Sequence, residues 1–241
     1  MPSISLVLPA YNEAENIEPI VAEAIPALES VTSDYEILVV DDGSKDDTAG
    51  ATRRVMARHS QVRLVQHAVN QGFGAAVLTG FSSAQKDWIF YTDADRQFVL
   101  SELQKFCPFM EEADLIAGYR APRRDPFVRV FYGKGWSMLC TLLFGYTVRD
   151  VDCGFKIFRR EIIHKLAPHI VSRGATFSIE WLVRAKRAGY RFAELPVTHR
   201  PRVAGSQTGA NLGVITRAFR ELWRFRVELW RVGTSRSVSG D

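Results

Sequence analysis

The chain has 241 residues, 46% hydrophobic and 24% charged, with 10 prolines and 17 glycines. That balance excludes a disordered, low-complexity or fibrous chain and predicts a globular domain with a sizeable core. A formal net charge of only +4, with no groove-reading motif beside it, argues against a nucleic-acid partner.

Ile4, Leu6 and Leu8 open the chain as a strand that follows directly on Pro2-Ser3. This leaves no room for a signal peptide within the chain and points to the cytoplasm. The strand closes in Pro9-Ala10-Tyr11-Asn12-Glu13. Asn12 and Glu15 stand in capping-box spacing for the helix that follows, which leaves Tyr11 and Glu13 unexplained by capping. A second apolar run, Glu36 to Val40, ends in Asp41-Asp42-Gly43-Ser44. Ser44 is placed to cap the next helix, with Asp46 and Asp47 in its first turn. The adjacent acids Asp41 and Asp42 repel one another unless something uses them. Asn70-Gln71-Gly72-Phe73-Gly74 lacks the Lys and Ser/Thr of a phosphate-binding P-loop. No G-x-G-x-x-G follows the first strand either, which disfavours a dinucleotide oxidoreductase. Trp88 to Thr92 then delivers Asp93-Ala94-Asp95-Arg96-Gln97. Two carboxylates and an amide oxygen at a strand end suit Mg²⁺ or Mn²⁺, ions whose coordination is usually completed by a substrate's phosphates.

Strands that end in polar clusters and lead into helices predict an open, mostly parallel sheet, with ligands bound beyond the carboxyl ends of the strands. The four motifs, in this order, resemble those of the inverting family 2 glycosyltransferases of GT-A fold. Within that family they are most similar to the dolichyl-phosphate and polyprenyl-phosphate sugar transferases. The resemblance runs over residues 1–210. It implies an α/β catalytic domain, a Rossmann-like open mixed sheet flanked by helices, with residues 120–148 as an acceptor-side segment of amphipathic interface helices. Residues 211–241 would add a basic helix and tail. Carried over motif by motif, it implies that Pro9, Tyr11, Glu13 and Asp41 cradle the nucleoside and that Asp93 lies near ribose and diphosphate. Asp95 and Gln97, with Asp93, would ligate the metal.

Farther along, Arg120, Arg123, Arg124, Arg129 and Lys134 oppose the single acid Asp125, ahead of the uncharged stretch Gly135 to Val148. A bilayer span needs ~20 apolar residues, so this stretch is too short to cross. It fits a buried helix after a solvated loop as well as a membrane-surface segment; the resemblance implies the latter. Asp150 to Arg160 resembles the family's acceptor-side signature. Gly154 permits close backbone approach, and Lys156 or Arg159 can meet phosphate. Alternation through Phe155, Ile157 and Arg159 predicts a short strand. A helix from Phe177 to Ala188 carries Glu180, an acid expected near the crevice. The strand Phe192 to Val197 leads into a loop where Arg202 and Gly205 match the family's cover for the donor diphosphate. Gln207 or Thr208 stands where the family usually has Lys, and Gly133 where it often has Ser. From Asn211 to Arg236, six arginines face two acids, with Trp223 and Trp230 one heptad apart. Arg217, Arg220, Arg224 and Arg231 share one helical face and Ile215, Phe219, Leu222 and Leu229 another, a basic amphipathic helix suited to a membrane, a partner helix or the body of the enzyme. Cys107, Cys140 and Cys153 are odd in number and lack metal spacing, which predicts no disulfide framework and a reducing compartment.

The resulting expectation is transfer of a hexose from a nucleotide diphosphate sugar, of GDP-mannose or UDP-glucose type, to a polyprenyl phosphate. The partners would be that donor, the lipid phosphate, an anionic membrane surface at the cytoplasmic face and a separate membrane protein. Asp95, Arg202 and Asp150 would be the catalytic residues, with Arg120, Arg129 and Lys156 binding the acceptor. A lipid phosphate oxygen is already anionic, so it needs orientation more than a base. Two alternatives stand beside this. A family member acting on a sugar or protein hydroxyl would need a base such as Asp150, Asp152 or Glu180. A non-catalytic nucleotide-sugar-binding protein would lack the metal ligands Asp95 and Gln97, which are present.

Overall fold

The structure, a computed structural model, describes residues 2–122, 127–174, 176–202 and 212–238. Seven strands form one sheet: β1 (Ile4–Ala10), β2 (Tyr35–Asp41), β3 (Val62–Gln66), β4 (Trp88–Tyr91), β5 (Leu115–Arg120), β6 (Lys156–Arg159) and β7 (Phe192–Val197). Their spatial order is β3-β2-β1-β4-β6-β5-β7. The first four run parallel, β6 lies antiparallel to both β4 and β5, and β5 pairs parallel with β7.

The central strands are apolar on both faces because helices cover both. Ile4, Leu6 and Leu8 of β1 pack with Ile17, Ile20 and Leu28 of helix α1 (Ala14–Glu29). Val7, Leu38 and Val40 face the other way, toward Ala76, Val77 and Phe81 of α3 (Phe73–Ser83). Helix α2 (Thr48–Met56) precedes β3, and α5 (Arg160–Leu166) follows β6 without a break. Helix α6 (Phe177–Arg187) adds Trp181, which meets Phe81 edge-on with ring centroids 5.7 Å apart.

Two long helices complete the molecule, α4 (Phe127–Phe144) and α7 (Leu212–Val238). Leu222, Phe225 and Leu229 of α7 are buried. Phe225 stacks 5.0 Å from Phe144 of α4, and Trp136 meets Phe219 edge-on at 6.0 Å. Arg184 of α6 bridges Glu180 and Glu228, each at 2.8 Å. The basic helix is therefore docked on the body of its own chain, with Trp223 and Trp230 exposed on its outer side. Phe219, expected on the inner face with Leu222 and Leu229, is half exposed instead. Arg220 and Arg224 are exposed; the Arg217 and Arg231 side chains lie outside the described residues. Among the described residues, no helix is long and apolar enough to cross a membrane.

The expected caps form differently. Helix α1 starts one residue later than capping by Asn12 requires, and Asn12 takes a left-handed φ of 57°. Its side-chain oxygen accepts from Lys45 N at 2.8 Å, while Ser44 Oγ accepts from Asn12 N at 2.9 Å. Ser44 thus caps no helix of its own. Thr48 Oγ1 and Asp46 Oδ2 accept from Glu13 N and Ala14 N, so the first residue of α2 and the loop before it satisfy amides at the start of α1. Long-range stitching replaces local capping and joins the first motif to the second.

Candidate active site

The parallel pairing of β1 with β2 and β4 brings the ends of all three strands to one edge of the sheet, with Ala10 beside Asp41 and Val7 beside Tyr91. Pro9 and Tyr11 stand there half-buried. Asp41 is buried, and its carboxylate accepts from Ser44 N at 2.9 Å and from the Gln66 amide at 3.0 Å. Its neighbour Asp42 has a separate task. It accepts from the backbone of Gln71 and Gly72, both at 2.9 Å, and meets His67 Nδ1 at 2.7 Å, while His67 Nε2 reaches Thr79 Oγ1 at 3.0 Å. The two adjacent acids avoid repulsion because each is solvated by different donors. Asp42 pins the Asn70–Gly72 loop, a role hidden in the sequence because His67 lies far from it along the chain.

After β4 the chain turns sharply at Asp93–Gln97. Arg96 has a positive φ of 60°, and its guanidinium is anchored on Glu23 of α1 at 3.0 Å. Asp95 Oδ1 accepts from Gln97 N at 3.2 Å. The Gln97 amide nitrogen donates to Arg200 O at 3.0 Å, and Arg200 N donates to Gln97 O at 2.7 Å. These bonds, with the Phe98–His199 bridge, strap the segment after β7 onto the turn and carry Arg202 into the crevice. Arg202 ion-pairs with Glu13 and lies 3.6 Å from Asp95. One guanidinium therefore joins the first and third motifs. Burial raises the Glu13 carboxyl above its ordinary value, against the pull of Asn16 and Arg202. Asp93 is raised too: its burial outweighs the Tyr91 hydrogen bond and the positive charge of Lys156, Arg120 and Arg202.

On the far side of this turn, Arg120 at the end of β5 grips Asp150 in a fork of two 2.7 Å bonds. Burial lowers the guanidinium's affinity for its proton, but Asp150 more than restores it. Asp152 is exposed on the same loop. Lys156, expected to meet acceptor phosphate, is buried, with Nζ donating to Val151 O at 3.1 Å and to Cys153 O. In this arrangement its ammonium faces backbone carbonyls rather than solvent, and burial pushes its pKa down. Arg129 belongs to α4, and its side chain lies outside the described residues, as do Arg123, Arg124, Gly205, Gln207 and Thr208. Glu180, expected near the crevice, is taken up by structural partners. It is fully buried in α6, where it accepts from Val171 N, Ser172 N and Arg184.

Among the described residues, no three His, Cys, Asp or Glu side chains form a metal-binding group. Asp93, Asp95 and the Gln97 amide oxygen offer hard oxygen donors along one turn, the chemistry Mg²⁺ or Mn²⁺ prefers when phosphates complete its coordination. Arg202 lodged beside Asp95 shows that the turn attracts positive charge. The residues present fit such an ion.

The family model "Glycosyl transferase family 2" matches residues 5–167, more than half the chain. The dolichyl-phosphate beta-glucosyltransferase of Trichomonas vaginalis is 34% identical over 211 residues, 80% of this chain and 62% of that protein. Glycosyltransferase AglD of Haloferax volcanii is 33% identical over 207 residues, 83% of this chain and 33% of that protein. The chain thus spans less than two thirds of either relative. Glucosyl-3-phosphoglycerate synthase of Mycobacterium tuberculosis, solved with Mn²⁺, uridine diphosphate and phosphoglyceric acid, superposes with a TM-score of 0.72 at 21% identity. The match covers 93% of this chain and 78% of that one. Mannosyl-3-phosphoglycerate synthase of Rubrobacter xylanophilus superposes with a TM-score of 0.70 at 20% identity, covering 97% and 75%. The GT-A fold expected from the motifs is the fold observed.

These findings correct the expected acceptor and partners. The two solved structures are a glucosyl-3-phosphoglycerate synthase bound to phosphoglyceric acid and a mannosyl-3-phosphoglycerate synthase, not lipid-phosphate transferases. No described helix is fit to span a bilayer, and the basic helix α7 buries its apolar face on α4 and α6. The polyprenyl phosphate, the anionic membrane surface and the separate membrane-protein partner are withdrawn.

Proposed function

Since the chain belongs to glycosyl transferase family 2 and is a glycosyltransferase of GT-A fold, we propose that it transfers a hexosyl group from a nucleotide diphosphate sugar to a hydroxyl of a small phosphorylated acceptor. The observation that carries this is the joining of two sides at one carboxylate: Asp93 sits on the donor turn and against Gly154 of the loop that holds Asp150. Uridine diphosphate and phosphoglyceric acid in a protein of the same fold support the choice of donor and acceptor class.

In this proposal Pro9, Tyr11, Glu13 and Asp41 line the nucleoside side, and Arg202 turns from Glu13 and Asp95 toward the diphosphate as negative charge develops there. Asp93, Asp95 and Gln97 would hold Mg²⁺ or Mn²⁺, which supplies Lewis acidity to the leaving diphosphate. A hydroxyl acceptor, unlike an anionic phosphate, must lose a proton as its oxygen attacks the anomeric carbon. Asp150 takes that proton, its carboxylate oriented by the Arg120 fork. Arg120 and Arg129 would meet the acceptor's phosphate.

The test is a screen of UDP-glucose and GDP-mannose against 3-phosphoglycerate and sugar phosphates. Asp150→Asn should keep donor affinity and lose transfer by about 10²-fold or more, the usual scale for a general base. Transfer to lipid phosphate alone, or wild-type turnover in Asp150→Asn, would refute the proposal.

A further inference from the structure

We propose that Gly154, held in place by the buried Lys156, is a positioning residue for Asp93, so that acceptor-side backbone sets the geometry of a donor-side carboxylate. This rests on the donor site proposed above. The register of β4 against β6 places Tyr91 beside Lys156. From Tyr91 the hydroxyl donates to Asp93 Oδ1 at 3.0 Å. The other carboxylate oxygen abuts Gly154, where an added Cβ would lie 2.2 Å from Oδ2 and 2.6 Å from Cγ. One oxygen is thus fixed by a hydrogen bond and the other by a wall of backbone.

That wall cannot easily retreat. The ammonium of Lys156 ties the carbonyls of Val151 and Cys153 beneath it, and Phe155 O accepts from Gly118 N at 2.7 Å on the adjoining strand. A buried ammonium is costly unless it is fully hydrogen-bonded, and this one faces loop carbonyls and the carboxylates of Asp93, Asp150 and Asp152. Its position makes the loop stiff. A methyl group at residue 154 must therefore displace Asp93 rather than the loop.

The experiment measures calorimetric binding of UDP and GDP to wild type, Gly154→Ala, Tyr91→Phe and the double variant, each with and without Mn²⁺. Melting curves serve as a check of the fold. Gly154→Ala should weaken Mn²⁺-dependent nucleotide binding by about ten-fold or more, the scale seen when a metal ligand's support is removed, and change metal-free binding less than about two-fold. A merely structural lesion would move both alike. The double variant should be non-additive, because both changes act on one carboxylate. Should Gly154→Ala not fold, Lys156→Met, which keeps the volume and frees the loop, should show the same metal-dependent loss. If wild type binds Mn²⁺ with either nucleotide and the folded variants match it, Gly154 does not position Asp93 and the donor site stands. If wild type binds neither nucleotide with Mn²⁺, the donor site falls and this inference with it.

Discussion

Asp114 illustrates how much one carboxylate can organise at the start of a strand. Its oxygens accept from Arg191 N at 2.9 Å and from the Arg191 guanidinium at 3.1 and 3.2 Å, with Arg159 at 3.3 Å. The Arg191 hydrogen bonds hold its carboxyl below the ordinary value. A depressed carboxyl stabilises the fold above the unfolded value of 3.8 and loses that contribution as pH falls through the folded value. Asp114→Asn should therefore cost about 1 kcal/mol at neutral pH, a figure kept small because Arg191 is exposed. Melting temperatures of the two proteins should converge as pH falls below 3.8 and through the lower folded value, and a gap independent of pH would show that charge is not the cause. Such partners are not visible in one letter of sequence. Asp93 and Asp95 could be placed from their position at a strand end, and Arg202 from its resemblance to the family's loop; the structure brings Arg202 within 3.6 Å of Asp95. Lys156 was legible as a cation, but its burial beneath the loop carbonyls depends on β6 lying between β4 and β5, which its own neighbours in sequence do not encode. Ser44 and Asn12 carried the right chemistry for caps, yet Ser44 Oγ accepts from Asn12 N and the Asn12 side chain from Lys45 N instead.

Helices α4 and α7 raise the same issue for whole elements. The amphipathic spacing of α7 was plain, as were the ends of β7 and nearly those of α6, whereas α4 showed only as an uncharged stretch from Gly135 and begins earlier, at Phe127; periodicity does not name the surface that covers an apolar face. Here each helix partly covers the other. Ala218, Leu222, Phe225 and Leu229 form the buried stripe, one residue away from the face centred on Phe219, and Arg184 locks it with two carboxylates. Phe225 has no exposed surface and lies between Phe144 and the Arg184 guanidinium, which sits 5.1 Å from its ring. Phe225→Ala should cost about 3–5 kcal/mol, as large core truncations do. For a chain of this size that lowers the melting temperature by roughly 10 °C. Loss of less than about 1 kcal/mol in a denaturant titration would mean that α7 is only loosely attached.

At the scale of the molecule, the order β3-β2-β1-β4 keeps the three donor-side motifs adjacent, while antiparallel β6 admits the acceptor-side loop to the same edge. Motif order along the chain could suggest the first half of this layout; the insertion of a late strand next to β4 could not be read from it. One consequence concerns charge. Glu13, Asp93 and Asp95 share a partly buried crevice, with the Arg202 guanidinium at Glu13 and Asp95. A divalent ion arriving with a nucleotide diphosphate would bring charge in balanced form and should stabilise the whole fold. At a hundred times its dissociation constant, such a ligand adds about 2.7 kcal/mol, a rise of roughly 5–10 °C in melting temperature for a domain of this size. The rise should appear with Mn²⁺ and UDP or GDP together, vanish with EDTA, and be largely lost in Asp95→Asn. Full stabilisation by nucleotide in EDTA would leave the Asp93–Gln97 turn without the metal role its oxygen ligands were assigned.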